Sequence, residues 1–322
     1  MTFPTLTADT LRPATVPTLY FIGVTTGRSS IQHVFPLWAE HLGLTDAVLQ
    51  GIDLPLHAPA EDYRRVVRFI AEDPLSLGAL VTTHKIDLYA ACRDLFDEVD
   101  PFASLMGETS CLSKRDGRLV CHAKDPISSG LALDAFLPDG FWAGGPADAL
   151  LLGAGGSTIA ISWYLSQRER GLDRPARIVV TNRSAGRLDH LREIHASLPT
   201  DTRFEYYLTP TPADNARVLA DLAPRSLVVN ATGLGKDAPG SPLPDDAVFP
   251  QDGVAWDLNY RGDLVFLDQA RAQSDARALR VEDGWIYFVH GWTQVIAEVF
   301  DVDIPTSGPA FERLSDLALA TR

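Results

Sequence analysis

The sequence predicts an α/β protein of two domains. Three observations predict it. Short apolar runs alternate with segments of helical period along most of the chain, and the second half opens with a glycine-rich turn between an apolar run and a helical segment. In addition, 322 residues at 46% hydrophobic and 22% charged carry enough apolar side chains for two cores. Strands that alternate with helices build a mainly parallel sheet, because parallel neighbours need a crossover and a helix is the usual one.

Taken in order, LYFIGV from Leu19 reads as a strand, SIQHVFPLWAEHLGL as a helix, AVLQGIDLPLH as a strand and EDYRRVVRFIAED as a helix. LGALVTT follows as a strand and runs into Thr82, Thr83, His84 and Lys85, a cluster of hydroxyls and a cation. A lysine after a strand is often just solvated surface, so this cluster alone decides nothing. Residues 108–122, ETSCLSKRDGRLVCH, break the rhythm, and Asp116-Gly117 marks a hairpin turn between two β-prone segments. PISSGLALDAFL reads as a helix capped around Ser128 and Ser129, which puts the domain junction near Pro126.

The second half continues with the strand ALLLGAGG, a helix through STIAISWYLSQRERG, the strand ARIVVTNRS, and a helix from Ala185. FEYYL, a helix from Asp214, SLVVNATG and GVAWDLNY complete a doubly wound pattern. IYFVHGWTQVIAEVF has helical period and is expected to fold back on the first domain. The expected division is residues 1–126 with 285–322 as the substrate-binding catalytic domain, and 127–284 as the nucleotide-binding domain. The tryptophans and the WIYF cluster read as core.

Composition narrows the function classes. A formal net charge of −14 argues against a nucleic-acid or anionic-lipid binder, which needs a basic face. Cys92, Cys111 and Cys121 are an odd set without CxxC spacing, which fits reduced thiols in the cytoplasm. There is no HExxH-like pair, so no metal is expected. No apolar run of about 18 residues occurs, and the start MTFPTLTADTLRPATVPT lacks a charged-then-apolar leader, so a soluble protein is expected.

LLLGAGGSTIAISWYL, residues 150–165, sets Gly153, Ala154, Gly155, Gly156 and Ser157 between a strand and a helix. Glycines there allow a tight turn and let backbone N–H groups and the helix N-terminus approach a pyrophosphate. The next strand ends in Asn182, Arg183 and Ser184, with no carboxylate to accept ribose hydroxyls. Arg183 can instead pair with a 2′-phosphate, with Ser184 and Arg187 as further donors, so NADP is favoured over NAD. The same missing carboxylate argues against S-adenosylmethionine and hence against a methyltransferase.

With these residues in hand, the chain resembles the shikimate dehydrogenase family from about Leu19 to Phe300. The resemblance rests on GVTTGRSSIQHVF, VTTHK, AKDPISSG, GAGGS, NRS, NATGLG and DLNY, in that order. It implies a substrate domain and a Rossmann-type NADP domain with the active site in the cleft between them. It also implies hydride transfer between NADP(H) and a ring hydroxyl or ketone of shikimate or a related cyclic hydroxy acid, within the shikimate pathway of aromatic amino acid biosynthesis. Carried over, Lys85 and Asp125 form the catalytic pair, with Asn230, Ala231, Thr232 and Gly233 on the cofactor side. Lys85 would serve as the acid in reduction and Asp125 would orient it, because a cation stabilises charge developing on the oxygen.

The substrate side departs from the family pattern. GRSS replaces the paired serines that hold a carboxylate, leaving Ser29 and Ser30 and adding Arg28, which either clamps a carboxylate or is solvated. VTTHK lacks the family's proline and keeps Thr82; Ser110 stands for an asparagine; Ala123 and Lys124 stand for asparagine-threonine. Tyr260 matches a substrate-side tyrosine, and FVHG puts His290 nearest to a missing glutamine. A lone histidine such as His84, His122 or His290 is more often structural than catalytic. The alternative is a non-catalytic NADPH-binding regulator with a drifted cleft, but retention of both Lys85 and Asp125 disfavours it. A small-molecule substrate and a monomer or homodimer are expected.

Overall fold

A computed structural model describes residues 4–236 and 238–322; the first three residues of the tail and Asp237 lie outside the described residues. The chain divides into two compact units, one running to Lys124 and resuming with Val289–Arg322, the other spanning Asp125–Phe288.

The first unit is built on strands β1 (Leu6–Thr7), β2 (Thr18–Gly23), β3 (Val48–Asp53), β4 (Ser76–Val81), β5 (Glu98–Val99), β6 (Cys111–Arg115) and β7 (Arg118–His122). They form one sheet in the order β1-β3-β2-β4-β6-β7-β5. β2 pairs in parallel with both β3 and β4, and the β6–β7 hairpin joins antiparallel to β4, as the Asp116-Gly117 turn requires. The helices of this stretch are α1 (Ile31–Leu42), α2 (Ala60–Glu72), α3 (Lys85–Cys92) and α4 (Pro101–Met106). α2 buries Tyr63, Val66, Val67 and Ile70, a three-and-four spacing that presses one helical face on Tyr20, Ile22, Ala79 and Val81 of the sheet.

The second unit begins with α5 (Asp125–Phe136) and continues with β8 (Asp148–Leu152), α6 (Gly156–Leu165), β9 (Arg177–Asn182), α7 (Ala185–Ser197), β10 (Arg203–Leu208), α8 (Pro212–Ala220) and β11 (Leu227–Asn230). β12 (Val254–Asp257), α9 (Val265–Arg271), α10 (Ser274–Arg277) and β13 (Arg280–Glu282) complete the sheet region. The order is β10-β9-β8-β11-β12-β13, all parallel. This is the doubly wound order in which the first strand, β8, lies beside the fourth, so the switch point falls between β8 and β11. The division between units falls within α11 (Trp285–Phe300), and α12 (Gly308–Leu319) follows it.

Several local expectations need correction. β4 ends at Val81, and Lys85 opens α3 instead of closing the strand. Thr83 at φ +63° turns the chain sharply, and Leu88 N–H bonding to His84 O starts the helix. α5 begins at Asp125 itself, so Ser128 and Ser129 lie inside the helix and are not its caps. α8 starts at Pro212 because Thr211 and Asp214 form a reciprocal capping box. β1, β5, β13, α3, α4, α9, α10 and α12 are short or weakly periodic and carried no clear signal in the sequence.

Candidate active site

The nucleotide side lies at the switch point of the second unit. Gly153 has φ +105°, and a Cβ there would sit 2.8 Å from Ala231 O and 3.3 Å from Thr232 N. Only glycine allows the turn after β8 to pass this close to the backbone after β11. Ala154 is buried beside it, whereas a Cβ on Gly155 meets nothing within 4 Å. Gly156 and Ser157 then begin α6, leaving first-turn amides for an anion. At the end of β9, Arg183 and Ser184 are exposed and Arg187 is half-buried, while the Asn182 side chain donates to Ser184 O at 3.2 Å.

Asn230 shapes the facing loop. Its Oδ1 accepts from Thr232 N–H at 3.1 Å and from the Thr232 hydroxyl at 2.7 Å. Its Nδ2 donates to Asp257 Oδ2 at 3.1 Å, and Asp257 Oδ1 accepts from Asn259 N–H at 2.8 Å. Burial pushes the Asp257 carboxyl up to about 6, against the opposing pull of those donors. Gly233, at φ +77°, turns the chain away after Thr232. Asp257 and Asn259 were not singled out from the sequence, although both lie in the DLNY stretch; neither has a local pattern to betray the bond to Asn230.

These residues suit a dinucleotide. The open space at Gly155 leaves room for a pyrophosphate against the start of α6, and an exposed guanidinium stands where an NAD site would carry a carboxylate. Gly155, Gly156 and Ser157 would hold the pyrophosphate, and Arg183, Ser184 and Arg187 a 2′-phosphate.

Asp125, also in the second unit, is buried in the first turn of α5, where the helix dipole favours a carboxylate. Tyr287 donates to Asp125 Oδ2 at 3.1 Å. Tyr287 was read from sequence as core, but it is half-buried and carries its hydroxyl to a candidate catalytic group. Tyr260 stacks with Trp285 and Phe288, ring centroids 5.2 and 4.7 Å away, and is half-buried.

The first unit carries the other residues. Lys85 is half-buried as the first residue of α3, and its carbonyl accepts from Thr109 N–H at 3.1 Å. Thr82 N–H bonds to Ile22 O at 3.0 Å, which holds the loop before Lys85 against the end of β2. His84 is buried, bonds to the Tyr63 hydroxyl at 3.0 Å, and burial lowers its pKa, so it serves as a neutral structural group. Arg28 is exposed on a short 3-10 turn, Thr26–Arg28, followed by buried Ser29 and half-buried Ser30. That turn is anchored by Thr26, whose N–H and hydroxyl both donate to Asp53 at 2.8 and 2.6 Å.

The hydroxyl of Ser110 accepts the N–H of Lys124 at 2.7 Å and keeps its own proton to donate. Lys124 pairs with Glu298 at 2.5 Å, and Arg115 reaches the same carboxylate at 2.9 Å. Burial raises the Glu298 pKa, but Lys124, His122 and Arg115 outweigh it and hold the carboxyl below the ordinary range. His290 is buried and stacked at 4.4 Å on Phe311, its Nδ1 has no hydrogen-bond partner among the described residues, and burial lowers its pKa to about 4. Cys92, Cys111 and Cys121 are buried free thiols raised by burial. Among the described residues no helix is long and apolar enough to cross a membrane.

Fold and site define a two-domain α/β protein with a Rossmann-type nucleotide unit. No protein-family model matches the chain. Over 258 residues it is 32% identical to a shikimate dehydrogenase (NADP(+)) of Thermus thermophilus, covering 80% of this chain and 81% of that protein. The chain belongs to the shikimate dehydrogenase family. Among solved structures it matches shikimate 5-dehydrogenase of Thermus thermophilus in complex with NADP(H) and shikimate, with a TM-score of 0.66 and 24% identity over 95% of this chain and 99% of that one. Quinate dehydrogenase of Corynebacterium glutamicum in complex with NAD matches with a TM-score of 0.71 and 19% identity, again over 95% and 99%. These two likenesses show the fold.

Proposed function

We propose that this chain is an NADP-dependent oxidoreductase that moves a hydride between the nicotinamide and a ring hydroxyl or ketone of shikimate or a related carboxylated cyclic alcohol. The observation that carries this reading is the pair Lys85 and Asp125, each in the first turn of a helix, in a chain of this family. The N-terminal end of a helix is its positive end, so a cation there works against the helix. The helix dipole therefore gives no reason for Lys85, while proton transfer to a substrate oxygen does. The solvated-surface alternative is weakened further because Lys85 is half-buried.

Bound NADP(H) supplies or accepts the hydride. Lys85 donates a proton to the ketone oxygen as charge develops there and takes it back from the hydroxyl in the reverse direction. Asp125 orients the ammonium and the reacting hydroxyl. Arg28, Ser29 and Ser30 meet the substrate carboxylate, and Thr82 and Tyr260 offer hydroxyls to the ring. Ser110 and His290 complete the proposed substrate side: the Ser110 hydroxyl accepts from Lys124 N–H and keeps its own proton to donate.

The test is spectrophotometric: purified protein with NADP or NAD against shikimate, quinate and an amino-substituted analogue. Turnover with NADP, reduced about 10²–10⁴-fold in kcat/KM by Lys85→Ala with NADPH affinity kept, is the expected result. Turnover unchanged in Lys85→Ala, or none with any cyclic hydroxy acid, overturns the reading.

A further inference from the structure

We propose that Tyr287 is a positioning residue for Asp125 and ties it to the glycine-rich turn, an inference that rests on the functional reading above. α5 and α6 pack unusually close: a Cβ on Gly130 of α5 would lie 2.4 Å from the Tyr164 ring of α6. The Tyr164 hydroxyl also donates to Asp134 Oδ2 at 2.5 Å. The two helices run in the same direction, so Asp125 and Ser157 stand together at their N-terminal ends. Tyr287, from the first turn of α11, enters at that end. Its hydroxyl donates to Asp125 Oδ2 at 3.1 Å and lies 3.4 Å from Ser157 Oγ.

A hydroxyl has one proton to give and lone pairs to accept with. Asp125 Oδ2 at 3.1 Å and Ser157 Oγ at 3.4 Å both stand as acceptors for that one proton, and the nearer, charged oxygen is the stronger acceptor, so the proton rests on Asp125. The Trp256 ring, edge-on at 5.8 Å, holds the tyrosine ring in place. Plain core packing would need only the ring, and phenylalanine would supply it. The hydroxyl does more than packing requires, because it meets a buried carboxylate that the reaction uses and a residue that begins the nucleotide helix.

The experiment compares wild type, Tyr287→Phe, Asp125→Asn and the double variant in steady-state kinetics with NADP and the best cyclic hydroxy acid, alongside thermal unfolding and NADPH titration. Tyr287→Phe is expected to lower kcat about tenfold with NADPH affinity at the wild-type value and Tm lowered by several degrees at most, because the buried Asp125 carboxylate loses a fixed donor. Tyr287→Phe is expected to cost no further kcat in an Asp125→Asn background, because the carboxylate it positions is already gone. Wild-type kcat in Tyr287→Phe, or the same fold loss of kcat in the Asp125→Asn background as in wild type, overturns the inference and leaves the functional reading standing. No turnover in wild type overturns both.

Discussion

Gly153 and Gly155 sit two residues apart in one turn, and the structure separates their roles. At Gly153, alanine would hold a Cβ at φ +105° and 2.8 Å from Ala231 O. The backbone strain is worth about 1–3 kcal/mol, and forcing a methyl against backbone about 1–3 kcal/mol more. At roughly 2–4 °C per kcal/mol, Gly153→Ala should lower Tm on the order of 5–20 °C. At Gly155 the backbone is extended, φ −98°, and the added methyl meets nothing within 4 Å, so the fold should change by less than about 0.5 kcal/mol. That open space is where the pyrophosphate is proposed to approach, and losing one charge-assisted hydrogen bond there is worth about 1.5–3 kcal/mol. Gly155→Ala should therefore weaken NADPH about 10- to 100-fold with Tm intact. Thermal unfolding and NADPH fluorescence titration measure the two effects. Equal Tm for wild type and Gly153→Ala, or unchanged NADPH affinity in Gly155→Ala, refutes the reasoning.

Arg183→Ala should weaken NADPH by about tenfold or more and leave NADH nearly unchanged, which parallel titrations would reveal; equal losses would mean that the guanidinium does not meet a 2′-phosphate. Asp257 has a raised carboxyl, about 6 against 3.8, so between those values the folded chain holds a proton that the unfolded chain has lost. Stability contributed by this group should thus rise as pH falls from 7 towards 4, and Asp257→Asn should flatten that part of a Tm-against-pH curve. Glu298 has the opposite sign: its lowered carboxyl contributes stability above the ordinary glutamate range, and this is lost as pH falls through the depressed value. Glu298→Gln should make Tm less sensitive to acid, and an unchanged acid limb would show that the Lys124 and Arg115 pairing adds nothing.

The sequence by itself determined the features that are periodic or local. The strand-turn-helix at residues 148–165, the basic end of β9 and the Asp116-Gly117 hairpin were legible because each depends on neighbours a few residues apart. The family pattern added Lys85 and Asp125 from short motifs. What only the tertiary structure decided involves partners distant in the chain. Whether Lys85 closes a strand or opens a helix turned on Thr83 adopting a left-handed backbone, which no period encodes. That the His290 ring stacks on Phe311, and that Ser110 accepts the N–H of Lys124, are contacts no period encodes. Tyr287 reads as core in an apolar run, yet its bond to Asp125 spans 162 residues of sequence. Hydrophobic pattern reports which face of an element is buried, and says nothing of which polar atom on another element that face brings within reach.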